Sequence, residues 1–110
     1  MPMEARRVAL IVAADEPALF FTSIEAAESY LEAIDVENGE YSAAYGPDGR
    51  LYQIGTSGNR VVITPERDRP SDPAALKALL LGFLTVVGDP GSEADSLETL
   101  IKRCERYVMD

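Results

Sequence analysis

The side chains of this sequence best suited to acid–base chemistry are its 19 carboxylates. Histidine and tryptophan are absent, and there is a single cysteine, Cys104. Residue type alone therefore excludes a Ser-His-Asp or Cys-His relay, a His-ligated metal, a zinc-binding cysteine cluster and an intrachain disulfide. Cys104 falls on an apolar stripe with no histidine to activate it, so it reads as a core residue rather than a nucleophile. Two carboxylates suffice for glycoside cleavage. That chemistry also needs a cleft as long as a sugar chain and aromatic platforms, and only 7% of these residues are aromatic. Asp35-Val36-Glu37-Asn38-Gly39-Glu40 opens like a calcium loop, yet the twelfth position, where an EF-hand places its bidentate glutamate, is Gly46. Gly55-Thr56-Ser57-Gly58 has the spacing of an RNA-clamping loop but no lysine inside it, and a hairpin turn suits it better. Neither a Walker A loop nor a dinucleotide fingerprint occurs. The expectation is a protein with no enzymatic site, no metal and no cofactor.

What distinguishes the carboxylates is where they stand. Between Val8 and Gly49 there are nine acids (Asp15, Glu16, Glu25, Glu28, Glu32, Asp35, Glu37, Glu40 and Asp48) and no lysine or arginine. The rest of the chain holds ten acids and ten bases, so the whole net charge of −9 arises in this segment. Nucleic acid and anionic lipid both recruit a basic face, so neither is an expected partner. A protein with a basic surface is. The expected binding face has Glu25, Glu28, Glu32 and Asp35 along one helical ridge, with Glu37, Glu40 and Asp48 beside it. Tyr41 and Tyr45, two alternations apart, would share one sheet face and supply contact area. Tyr30 and Tyr52 read instead as ordinary residues of a half-exposed surface. The competing readings are that Arg50, Arg60 or Arg67 folds back to neutralise the acids, or that the charge serves solubility alone.

The elements that must position these residues can be read from periodicity and punctuation. A chain of 110 residues that is 46% hydrophobic supports one domain, residues 1–110, with a core that needs no staple. Arg6-Arg7 and the apolar run Val8 to Ala14 resemble the start of a signal peptide. The run is short and Asp15 follows at once, so a buried strand is expected and the location is expected to be cytoplasmic. Leu19-Phe20-Phe21 forms a second short strand or a helix entry. Thr22 and Ser23 offer a helix cap, with Glu25 completing a capping box on Thr22. The 3.6-residue period then predicts one continuous helix whose apolar face is Ile24, Ala27, Tyr30, Leu31 and Ile34, ending at Asn38-Gly39. Strands are expected at Tyr41–Tyr45, Leu51–Ile54 and Arg60–Thr64, joined by Gly46-Pro47-Asp48-Gly49 and by residues 55–59. Asp72 and Pro73 start a helix running to Val87, apolar on most of its circumference and so expected at the centre of the core or shared with another subunit. Ser92 or Ser96 starts a last helix with Leu97, Leu100, Ile101, Cys104 and Val108 on one stripe. The fold class is α+β: an antiparallel β-meander of three to five strands, one helix before it and two after it, packed as a single layer on the sheet.

Residues 20–53, FFTSIEAAESYLEAIDVENGEYSAAYGPDGRLYQ, are similar to small bacterial immunity proteins of polymorphic toxin systems. The segments ESYLEAIDVENGEY and GPDGR carry the likeness, which covers about a third of the chain. Such proteins are diverse in fold. The resemblance implies a small, cytosolic, non-enzymatic protein that neutralises a toxin domain by tight binding. The alternative is a self-associating structural or adaptor protein that uses the apolar helix 73–87, with a homodimer as its product.

Overall fold

The computed structural model describes residues 7–15 and 17–109, so Arg6 and Glu16 lie outside the described residues. The Val8–Ala14 run forms strand β1, Leu10–Ala13, and after the turn closed by Ala14 N–H donating to the Pro17 carbonyl (2.8 Å) comes β2, Ala18–Phe21. Strand β3 spans Ala43–Tyr45, β4 Leu51–Ser57 and β5 Arg60–Pro65. All pairs are antiparallel, and the spatial order is β2-β1-β3-β4-β5. The α+β class and an antiparallel sheet are as the sequence predicts, its five strands lie at the top of the expected three to five, and β3-β4-β5 forms the meander while β1 stands between β2 and β3.

One turn of the sheet is tighter than expected, and the other makes a contact of its own. Residues 55–57 extend β4, so the loop shrinks to Gly58-Asn59, with Gly58 at φ +63° in the first turn position. That is the position a tight hairpin turn of type II′ reserves for glycine. At Gly46-Pro47-Asp48-Gly49, Gly49 has φ +91°, and a Cβ there would stand 2.6 Å from Pro73 Cα. The turn therefore docks on the start of the third helix, where Asp72 N–H donates to the Gly49 carbonyl (2.8 Å).

Helices cover both faces of the sheet, whereas a single layer was expected. On one face Leu10, Val12, Leu19, Phe21, Ala44, Val61 and Ile63 pack with Ala27 and Leu31 of the first helical segment. On the other, Ile11, Ala18, Phe20, Tyr45 and Leu51 pack with Leu76, Leu80, Phe83, Leu84, Leu100, Ile101 and Cys104. The reason lies in β1 and β2. Every residue in both is buried, and successive side chains point to opposite faces. Strands that are apolar on both sides need cover on both sides.

The predicted helix from Ile24 is two helices. Helix α1 is Ile24–Tyr30 and α2 is Ala33–Glu37, with Leu31 in an extended conformation between them (φ −74°, ψ 146°). In a continuous helix Ala33 would point about 160° away from Leu31. The break lets Leu31 stay in the core, 4% exposed, while Ala33 and Val36 also pack against it. Ile34, expected on the apolar face, is turned out and 61% exposed. The cap is Ser23, whose hydroxyl accepts from Ala26 N–H at 3.0 Å, so the capping box on Thr22 is not the one used.

Helix α3, Pro73–Val86, starts as expected, with the Asp72 carboxylate accepting from Ala75 N–H at 3.1 Å. It lies on the sheet rather than at the centre. Leu76, Leu80, Phe83 and Leu84 are buried, while Ala74, Ala78, Gly82, Thr85 and Val86 face outward. Helix α4, Leu97–Cys104, is capped by Ser96, and a 3₁₀ turn, Glu105–Tyr107, follows. Leu100, Ile101 and Cys104 are buried as the stripe predicts, and Leu97 and Val108 pack beside them. Phe83 links the layers through edge contacts with Phe20 (ring centroids 4.7 Å apart) and Tyr107 (5.1 Å). The chain end then closes the β2 edge: Val108 bridges Phe20, and Met109 N–H donates to the Phe20 carbonyl at 2.8 Å. Among the described residues, no helix is long and apolar enough to cross a membrane.

Candidate protein-interaction face

The charge asymmetry of the sequence becomes an asymmetry between the two helical layers. Helices α1 and α2 contribute Glu25, Glu28, Asp35 and Glu37, with Glu32 between them, and neither helix carries a base. The opposite layer carries Lys77, Lys102 and Arg103. Two of these three bases are engaged locally. Lys77 donates to the Glu93 carbonyl at 2.6 Å, Arg103 pairs with Asp89 and Asp95, and Arg69 pairs with Asp72 at 3.0 Å. The acids of residues 25–40 thus belong to one face of the molecule.

They do not form one ridge. The break at Leu31 separates Glu25 and Glu28 from Glu32 and Asp35, which a single helix would have aligned. Glu25 is exposed at the mouth of a groove of about 300 Å³ between α1 and β5, lined also by Glu28, Ser29, Arg60 and Val61. Arg60 places one base at the margin of the acidic layer without an ion pair to Glu25 or Glu28. Glu28 is half-buried and accepts a hydrogen bond from the backbone N–H of Ile63 at 2.8 Å. It is a structural acceptor that sequence reasoning took for a surface charge. Glu32 is exposed and precedes α2 without a side-chain cap bond. Asp35 lies in a hollow of about 210 Å³ with Ala14, Asp15, Glu40 and Tyr41, while Glu37 is exposed at the end of α2.

The two tyrosines part company. Strand alternation begins only at Ala43, so Tyr41 lies before β3 and packs, half-buried, on the α1–α2 side. Tyr45 points to the other face, 8% exposed among the α3–α4 residues. Burial raises its phenol pKa, and the nearby Asp72 carboxylate adds to the rise while Arg69 opposes it. Tyr45 is a core residue, not an interface anchor. Asp48 is also elsewhere, in a hollow of about 380 Å³ with Pro47, Leu97, Glu98 and Ile101. Its carboxylate accepts from Arg50 N–H at 3.0 Å and shapes the turn. Tyr30, expected to be unremarkable, rests against Phe21 (ring centroids 5.5 Å apart) with half its surface open on the acidic side.

The chemistry available to nucleophiles is slight. Cys104 is buried, and desolvation pushes its pKa up to about 12, with Arg103 opposing and Asp89 adding to the rise. A thiol held protonated in this way is inert at neutral pH. Among the described residues, no three potential metal ligands converge. No protein-family model, curated protein or solved structure matches this chain.

Proposed function

We propose that this chain is a non-enzymatic, acidic protein-binding domain, an immunity-type protein that neutralises a basic toxin domain by tight binding through its α1–α2 face. The observation that carries the reading is a helical layer bearing Glu25, Glu28, Asp35 and Glu37 with no base of its own. A field of one sign steers an oppositely charged partner and accelerates encounter. A nuclease toxin is basic where it holds phosphate, which makes it the partner class this face complements best. Glu25, Glu32, Asp35, Glu37 and Glu40 supply the field. Tyr41 and the half-open Tyr30 supply amphipathic contact area beside them. The likeness of residues 20–53 to immunity proteins points the same way.

The test combines growth and kinetics. Co-expression of this chain should restore growth to cells producing the toxin domain encoded beside its gene. In surface kinetics, the variant carrying Glu25→Gln, Glu32→Gln and Asp35→Asn should associate roughly tenfold more slowly at low salt and show a flatter salt dependence, with dissociation little changed. Association at the wild-type rate would reduce the acidic layer to a solvated surface.

A second reading, self-association through α3, rests on Ala74, Ala78, Gly82 and Val86. They stand four residues apart, exposed and uncharged, along the outer side of the helix. A dimer insensitive to salt, in the absence of any basic partner, is its expected signature.

A further inference from the structure

Strand β5 is an edge of the sheet, and the way that edge is closed has a direct consequence. With the two-residue turn Gly58-Asn59, Ser57 and Arg60 form a hydrogen-bonded pair, and so do Gly55 with Val62 and Gln53 with Thr64. Val61, Ile63 and Pro65 therefore turn their backbone groups outward, away from β4. An outward row on a β-branched segment such as Arg60-Val61-Val62-Ile63-Thr64 is a template for another strand. Two of the three outward positions are disarmed. Pro65 has no N–H to offer, and the N–H of Ile63 is taken by the Glu28 carboxylate at 2.8 Å. Glu28 reaches it from α1, which packs against β5 on the face that buries Val61 and Ile63.

We propose that Glu28 is a latch on the β5 edge: its carboxylate oxygen occupies the place that the carbonyl of an added strand would take, and it prevents this chain from pairing β5 to β5 with a second copy of itself. The segment is self-complementary for that pairing. An antiparallel arrangement centred on Val62 sets Val61 of each copy opposite Ile63 of the other, joining the two outward positions that have N–H groups. Glu28 then has a role distinct from the acidic face, because the latch needs an acceptor and not a charge. The inference does not rest on the proposed function.

Three variants separate these requirements. In sedimentation velocity, Glu28→Ala should form concentration-dependent species one association step larger than the wild type. Glu28→Gln, whose amide oxygen still accepts, should sediment as the wild type does. Adding Val61→Pro to Glu28→Ala removes a second outward N–H and should restore wild-type sedimentation. Hydrogen exchange gives an independent readout. The Ile63 amide should be protected in the wild type and exchange on the order of tenfold faster or more in Glu28→Ala, as expected for loss of a bond to a charged acceptor. Wild-type sedimentation of a folded Glu28→Ala overturns the latch. So does a wild-type Ile63 amide that exchanges like an unstructured peptide, a result that needs no variant to fold.

Discussion

At the scale of single residues, acidity turns out to be a poor guide to role. Glu28, Glu32 and Asp48 look equivalent in the sequence, yet one accepts from an edge strand, one is exposed between two helices and one shapes a turn. Cys104 is the reverse case, since its burial was legible from the stripe Leu97, Leu100, Ile101 and Cys104. Burial has a pH signature. The unfolded thiol ionises near pH 9, while the native thiol stays protonated to about 12. Above pH 9 the unfolded state has lost a proton that the native state keeps, so stability falls as pH rises through this window. The loss attributable to the thiol is on the order of 1 kcal/mol at pH 10. Urea titrations at pH 8 and pH 10 should show this extra loss in the wild type and not in Cys104→Ala. Equal pH dependence in the two would mean that the thiol titrates normally in the native state.

At the scale of elements, local signals located the strands and helices, and tertiary packing set their ends. Ser96, Asp72 and Ser23 each cap the helix that follows, and the Gly-Pro-Asp-Gly turn sits between β3 and β4. The break at Leu31 had no local signal, because no glycine or proline marks it. It exists because Ala33 and Val36 find a core only after the chain is re-aimed. Packing of α4 is the most direct element-level test. Leu100 is fully buried against the α3 layer, so Leu100→Ala should cost about 2–5 kcal/mol, as large-to-small changes in cores do. Chemical denaturation would measure it, and a loss below about 0.5 kcal/mol would place that stripe outside the core.

At the scale of the whole molecule, the dominant feature is a net charge of −9 that arises within residues 8–49. Like charges gathered on one helical layer repel one another in the folded state, and salt screens that repulsion with a Debye length of about 10 Å at 0.1 M. The melting temperature should therefore rise between roughly 20 and 200 mM NaCl, the range over which screening becomes effective. The variant with Glu25, Glu32 and Asp35 neutralised should melt higher than the wild type at low salt and respond less to added salt. A melting temperature that falls with salt would mean that the acids are paired in the native state. The same repulsion explains why a binding reading suits this face: a basic partner relieves a cost that the free protein carries.

The sequence by itself determined the α+β class, the approximate places of β1, β3, β4 and β5, the Asp72 cap and the segregation of charge, because each depends on short-range chemistry. Alternation, helical period, capping geometry and residue type are all contained within a few neighbours. Four things were decided only in three dimensions. These are the division of the helices between two faces, the break at Leu31, the opposite fates of Tyr41 and Tyr45, and the attachment of Glu28 to Ile63. Each depends on which surfaces a distant segment brings into contact. Glu28 and Ile63 are 35 residues apart, and no local pattern announces that a carboxylate on one helix will reach the open edge of the last strand. Tyr45 is buried because α3, beginning at Pro73, covers that face of β3, while Tyr41 lies outside the strand whose alternation would have paired them.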